Sequence, residues 1–502
     1  MRGERAAACL AVLAWALTGA ACRRPPQPPG PAAARVDAAH VAEARRDATA
    51  VAVEPEPSDE DAAAAAARLN ASICKRPRCC VTRVMPAGVG ADGTRYTVVR
   101  VDLMPGRRRC APPRTGEQED IIDDAAVKAN EGGEFDEKQR ERYRWDLVAE
   151  KEGRLRWRQT LELDYWNDSD FGMGGGLNEM SADAEERTIT YTREMGSAWR
   201  GDEATTIGLD PLRVVETYNR SWWRGGEDES TVRWNWDTFA GLQSSAVAFC
   251  REGPDRPADA GADPDPGDAD SDEVILPRVT LPPAFVKTGW PTTALGACAA
   301  HVDGMDHGFT IHGEPRTTTG DAEMRAVMSS GGVLFVEVSD DHLVPAAKSW
   351  VKADHLELWR ALGEPQHPSG CFRPDANAKA LQWGIGLDGQ VFKAHGAPSS
   401  SPTVRVTRSD RGARFRIVLP DEGEGLTVVY SDSDDGARQK RLIATSNLAF
   451  GRPWTVGRVR SIAKARAVCV VDGAELRPKV APLTRDPGLL FRNLPSDFDD
   501  ER

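Results

Sequence analysis

The sequence predicts an all-β protein: two antiparallel β-sandwich-like domains joined by an acidic linker of Pro, Gly and Ala. Three observations lead there. Short apolar runs alternate with period two and are closed by Gly- and Asp-rich turns, the pattern of half-buried strands. Helical periodicity is nearly absent and no strand–helix–strand alternation occurs, which argues against a parallel α/β sheet. Residues 251–273, REGPDRPADAGADPDPGDADSDE, are dominated by Pro, Gly, Ala and Asp. Their like charges repel and nothing large and apolar is present to pack, so the segment reads as an extended interdomain linker.

In chain order, residues 1–21 read as a secretory signal. Arg2 and Arg5 precede the apolar run Leu10–Leu17, and Gly19-Ala20-Ala21 offers a small-residue cleavage site. Cys22 follows at once, and lipidation there is expected although Gly19 stands where an aliphatic residue is usual. Residues 22–60 are rich in Pro, Ala and charge and read as a flexible tether. Ser58-Asp59-Glu60-Asp61 before Ala62–Ala67 starts a short helix that ends near Asn70, because acids suit the positive end of the helix dipole and alanine propagates best. Residues 61–250 form the first β-rich domain, with strands expected at Thr94–Met104, Tyr143–Glu150, Arg154–Leu163, Arg187–Arg193, Leu212–Tyr218, Thr231–Asp237 and Ser245–Cys250. Residues 111–141 read as a long acidic loop, and glycine-dense Gly172–Gly176 as a flexible one.

Residues 274–480 form the second domain, and 481–502 a tail. Strands are expected at Thr280–Val286, Glu323–Met328, Val333–Ser339, Asp354–Arg360, Ala380–Leu387, Thr403–Arg408, Arg414–Leu419, Leu426–Ser431, Lys440–Ala444 and Val468–Asp472. The organising stretch is 331–360. Leu334, Val336 and Val338 share one face of its first strand, with Val333, Phe335 and Glu337 on the other. Asp340-Asp341 stops that strand. In its second strand Leu356 and Leu358 oppose His355, Glu357 and Trp359.

The chain has 502 residues and a formal net charge of −13, so several domains are expected and a nucleic-acid partner is not. Beyond Cys9 and Cys22, eight cysteines remain: Cys74, Cys79, Cys80, Cys110, Cys250, Cys298, Cys371 and Cys469. In an exported chain they read as disulfides of unassigned pairing; Cys74, Cys79 and Cys80 suit a metal poorly because adjacent thiols cannot easily point at one ion.

No hydrolase, P-loop or dinucleotide motif is present, so no catalytic residue is assigned. Asp432, Asp434 and Asp435 resemble a fragment of a calcium loop, and calcium is the cofactor considered there; three acids in a turn are otherwise simply solvated. His301, His307 and His312 with Asp303 and Asp306 have the chemistry to suit zinc or another divalent ion but no helical ligand spacing, and read as solvated loop residues flanking a strand. Asp354 and Glu357 are not taken as a glycosidase pair, because on a strand they point to opposite faces. The remaining chemistry is aromatic. Trp290, Trp350, Trp359 and Trp383 are the ligand candidates, weighed against core packing. Trp454, Trp222-Trp223 and Trp234-Asn235-Trp236 are lesser clusters.

The order hydrophobic strand, Asp340-Asp341, loop, Trp350, then Asp354-x-x-Glu357-Leu358 resembles the family 9 carbohydrate-binding β-sandwich of secreted bacterial proteins, over about residues 275–465. The resemblance implies a non-catalytic domain that binds a polysaccharide or other glycan; together with the N-terminal signal and Cys22 the expectation is a cell-envelope lipoprotein, periplasmic or surface-facing. It also implies that Asp354 and Glu357 are a fold signature and that Trp350 belongs to the fold. The alternatives are a structural lipoprotein whose partner is an envelope protein and, third, a glycan hydrolase.

Overall fold

The computed structural model describes residues 59–74, 79–103, 142–165, 174–196, 199–223, 229–246, 271–287, 293–305, 307–313, 321–345, 349–362, 379–396, 400–420, 425–434, 436, 439–448, 455–462, 464, 466–483 and 490. These residues are mostly β, in several antiparallel sheets, with two α-helices among them.

Helix α1 (Asp59–Ile73) is followed by β1 (Cys79–Val89), β2 (Arg95–Leu103), β3 (Arg142–Lys151) and β4 (Arg154–Tyr165), a four-stranded antiparallel meander. Leu69 and Ile73 of the helix pack on Val81, Val99, Val101 and Val148 of one sheet face. The other face, with Val98, Trp145, Leu147 and Leu161, packs on Met180, Ile189 and Ile207 of a second sheet. That sheet runs through β5 (Gly174–Asp183), β6 (Thr188–Gly196), β7 (Trp199–Leu209), β8 (Leu212–Trp223), β9 (Glu229–Asn235), β10 (Ala240–Ala246) and β11 (Ser271–Val274) in sequence order.

The second region opens with β12 (Leu276–Val279) and helix α2 (Pro283–Lys287), then β13 (Ala300–Val302), β14 (Phe309–Gly313), β15 (Glu323–Ser329), β16 (Val333–Ser339), β17 (His355–Leu362), β18 (Lys379–Gly386) and β19 (Val391–His395). It continues through β20 (Thr403–Ser409), β21 (Gly412–Val418), β22 (Thr427–Asp432), β23 (Arg441–Ala444), β24 (Val459–Ser461), β25 (Ala467–Asp472) and β26 (Glu475–Val480). One sheet has the order β20-β21-β16-β15-β12-β24, with β13 also on β15; the facing sheet has the order β14-β23-β22-β17-β18-β19. Between them lies a core that includes Met324, Leu334, Val336, Leu356, Leu358, Trp383, Phe415 and Tyr430.

Strand β16 is buried on both faces. Leu334, Val336 and Val338 enter the inter-sheet core, while Val333 and Phe335 enter a second one with Trp234, Trp236, Phe239 and Phe285. Phe335 meets Phe285 edge-on, ring centroids 5.0 Å apart. Burying such a side chain contributes about 1.5–3 kcal/mol. This second core takes residues from both sides of segment 251–273, so residues 57–502 form one compact unit and the two halves do not pack independently. The end of the expected linker also departs from expectation: Ser271–Val274 adds a strand to β10, in register Ser245↔Ser271. Buried Glu273 accepts the backbone N–H of Arg458, and Gln243 accepts from Arg460 at 3.0 Å, tying that sheet to the sandwich.

Other departures have local causes. The expected strand Thr280–Val286 is displaced, because Pro282-Pro283 removes ladder donors and Pro283 opens α2 instead. Gly174–Gly176, read as a loop, belongs to edge strand β5, where a register shift between Gly175 and Asn178 absorbs the glycines. Strands β1 and β7 lack clean alternation and were not expected. Ser245–Cys250 is replaced by the earlier Ala240–Ala246; 247–250 lie outside the described residues. The 481–502 segment is not wholly a tail, since Leu490 is buried against the first half and donates its N–H to Thr160 O at 3.1 Å. Cys74–Cys79 and Cys298–Cys469 form disulfides, and Cys80 is disulfide-bonded too. Cys110, Cys250 and Cys371 lie outside the described residues, as do Cys22, the signal and tether up to 58, the 111–141 loop and residues 251–270.

Candidate functional site

Two groups of side chains gather around the strands β17 and β22 of the sandwich. The first lies on the outer face of the six-stranded sheet. Period two places His355, Glu357 and Trp359 there, and register places Gln382 opposite Trp359, with Gly384 opposite both Glu357 and Phe392. Glu357 is the hub: Trp359 Nε1 donates to it at 2.9 Å and Gln382 Nε2 at 2.8 Å, and His355 Nε2 stands 3.3 Å away. Burial pushes its carboxyl up, but the bonds from His355, Trp359 and Gln382 outweigh this and hold it below the usual range. Trp350, in the short 3-10 turn Trp350–Lys352, covers Gly384, where a Cβ would collide with its ring. Its ring is parallel to that of Phe392, centroids 5.3 Å apart, and edge-on to His355 at 4.8 Å. Trp350, Gln382 and Phe392 are half-buried, and His395, 6.2 Å from the Trp359 ring, is exposed.

The four tryptophan candidates therefore separate. Among the described candidates, Trp350 alone is half-buried rather than buried. Trp359 is 5% exposed and packs on Val429 and Leu448. Trp383 is 1% exposed inside the inter-sheet core, its Nε1 donating to Ser400 O, because its register turns it inward with Ile385. Trp290 and Trp454 lie outside the described residues. Trp234 and Trp236 are buried in the core shared by the two halves.

The second group is acidic. The turn after β16, the residue before β17 and the end of β22 bring Asp340, Asp354 and Asp432 together, although they are far apart in sequence. All three are at most 2% exposed. Asp354 accepts the backbone N–H of Val344 at 2.5 Å and of Ser433 at 2.7 Å. Tyr430 donates its hydroxyl to Asp340 at 2.6 Å. Arg441 bonds Asp432 at 2.8 Å and Asp321 at 2.9 Å, and Lys440 bonds Asp434 at 2.6 Å and Asp321 at 3.1 Å. Burial is the main cause that pushes Asp354 up to about 8, with Asp340 and Asp432 adding repulsion. Burial likewise pushes Asp432 up to about 7, against the pull of Lys440 and Arg441.

Asp340, Asp432 and Asp434 converge closely enough to consider a metal, and Asp432 Oδ1 and Asp434 Oδ1 have no hydrogen-bond partner among the described residues. Calcium nevertheless fits poorly. It needs six to eight oxygens, whereas Lys440 and Arg441 already occupy the other oxygens of Asp434 and Asp432, and both oxygens of Asp340 are engaged. An ion here would also sit beside two fixed positive charges. Asp435, the third residue of the sequence motif, lies outside the described residues. The arrangement is better suited to sharing protons and internal cations than to a calcium loop.

In the histidine group, half-buried His301 on β13 and buried Asp303 converge with the exposed loop residue His307, His312 is exposed on β14, and Asp306 lies outside the described residues. Alternation and composition made Trp350, Glu357 and Asp432 visible in the sequence. Phe392, Gln382, Asp321, Tyr430 and Arg441 were missed, because only strand register brings them alongside. No protein-family model matches this chain, and no curated protein matches it.

Proposed function

We propose that this protein is a non-catalytic glycan-binding lipoprotein of the cell envelope, anchored through Cys22 and tethered by residues 22–60. The observation that carries the reading is the strip on the outer face of β17–β19. The half-buried rings of Trp350 and Phe392 stand beside Gln382, with exposed His395 at the far end. Sugars stack their C–H faces on flat rings and bond their hydroxyls to nearby amides and imidazoles, so rings flanked by a few polar groups suit them. The resemblance of the Asp340-Asp341 to Glu357 stretch to family 9 carbohydrate-binding modules supports the same reading.

Hydrolysis is disfavoured on accessibility. Asp340, Asp354 and Asp432 have raised affinities for protons, as catalytic carboxyls often do, but they are almost wholly buried and bound to backbone amides, tyrosine and arginine. A structural role for the sandwich is the second reading, favoured by the burial of Trp359 and Trp383.

A glycan-array screen of the full chain, followed by calorimetry on the best hit, tests the proposal. Trp350→Ala should weaken binding by about 1–3 kcal/mol, the scale of an aromatic anchor. A folded protein that binds no glycan, or a variant that binds as tightly as the parent, would sink it.

A further inference from the structure

We propose that His301, Asp303 and His307 form a zinc site, with Glu323 as the adjoining carboxylate. Strand β13 supplies the first ligand: Ala300 and Val302 point into the core, so His301 points outward. The chain then folds straight back. The N–H groups of Asp303 and Gly304 both donate to His307 O, at 2.8 and 3.0 Å. Gly304 and Gly308, with φ of 70° and 77°, permit a turn this tight. The consequence is that the His307 ring lies against the His301 ring, centroids 4.7 Å apart.

The donor atoms are aimed as well as close. Asp303 Oδ1 accepts the N–H groups of Met305 and His307, at 2.8 and 2.9 Å, which fixes the carboxylate. Its Oδ2 then stands 3.2 Å from His307 Nδ1. His301 Nε2 is buried with no hydrogen-bond partner among the described residues, 3.7 Å from Glu323 Oε2. One ligand atom from each of His301, Asp303 and His307 lies within 4.8 Å of the others. Zinc holds nitrogen and oxygen at about 2.0–2.2 Å, so tetrahedral ligands stand about 3.3–3.5 Å from one another. Small side-chain rotations close the remaining gap.

Arg325 opposes a cation, but its guanidinium donates to Gly296 O at 3.1 Å. A bare hydrogen-bonded turn accounts for Asp303 and His307 and leaves His301 Nε2 without a hydrogen bond among the described residues. Two imidazoles with one or two carboxylates suit zinc, whereas calcium prefers oxygen alone. The ion would pin Asp303 and His307 to strand β13.

The test is calorimetric titration of the metal-stripped full chain with zinc chloride, repeated on variants. One zinc per chain is expected. His301→Ala and His307→Gln should each weaken binding at least about tenfold, since even outer-shell changes at metal sites cost about 10–100-fold. His312→Ala, outside the group, should change nothing. Cobalt should give visible absorption bands in the parent that both variants lose. His307 is half exposed, its side chain at 53%, so His307→Gln should keep the fold and decide the matter if His301→Ala does not. No zinc binding by the folded parent, or undiminished binding by His307→Gln, would overturn the proposal.

Discussion

Asp432 allows the buried acidic network to be tested by pH. Its carboxyl is fully buried, and burial with repulsion from Asp340 pushes it from an ordinary value of 3.8 up to about 7. The sign follows from which state holds the proton. Below pH 3.8 folded and unfolded chains are both protonated and stability is complete. Between 3.8 and about 7 the unfolded chain ionises while the folded chain keeps its proton, so stability falls as pH rises; above 7 both are ionised and the loss levels off. One pH unit corresponds to 1.36 kcal/mol, so the interval from pH 5 to pH 7 removes on the order of 2–3 kcal/mol. Asp432→Asn abolishes this titration while keeping an oxygen for Arg441. Urea unfolding of parent and variant in a chelator should therefore show the difference swinging towards the variant by on the order of 2–3 kcal/mol between those pH values. Arg441 at 2.8 Å argues the other way, for a carboxylate that stays ionised. Burial and the neighbouring acids win because Arg441 is shared with Asp321. A swing below about 0.5 kcal/mol, or one of opposite sign, would show that the ion pair wins.

Three further outcomes are expected. Trp236→Ala should cost about 3–5 kcal/mol and should lower one shared melting transition, because its core joins both halves; two separate transitions in the parent would contradict this. Replacing Cys298 and Cys469 by Ser should lower stability by about 5 kcal/mol on the loop-closure scale, because the bridge spans 171 residues; unchanged urea midpoints would refute it. Mass spectrometry of the envelope-bound protein should find a diacylglyceryl group on Cys22, and Cys22→Ser should release the protein from the membrane fraction; unchanged fractionation would rule out the anchor.

What the sequence determined by itself was local. Alternation fixed the all-β class and the strand Val333–Ser339 to the residue, because a side-chain period of two is written directly into the order of residues. It also placed His355, Glu357 and Trp359 on one face of β17. It failed where glycine, acid or proline broke the alternation, as in β5, β7 and α2. Only the tertiary structure decided what meets across distance. Register put Trp383 inside and Phe392 beside Trp350. The hydrogen bonds from Asp303 and Gly304 to His307 O laid the His307 ring on His301, and the turn after β16, the residue before β17 and the end of β22 brought Asp340, Asp354 and Asp432 into one buried group. Packing on Trp234 and Trp236 likewise joined two halves that composition had separated at residues 251–273. Such contacts depend on pairing between residues tens to hundreds apart, and no local pattern of propensity or charge encodes that pairing.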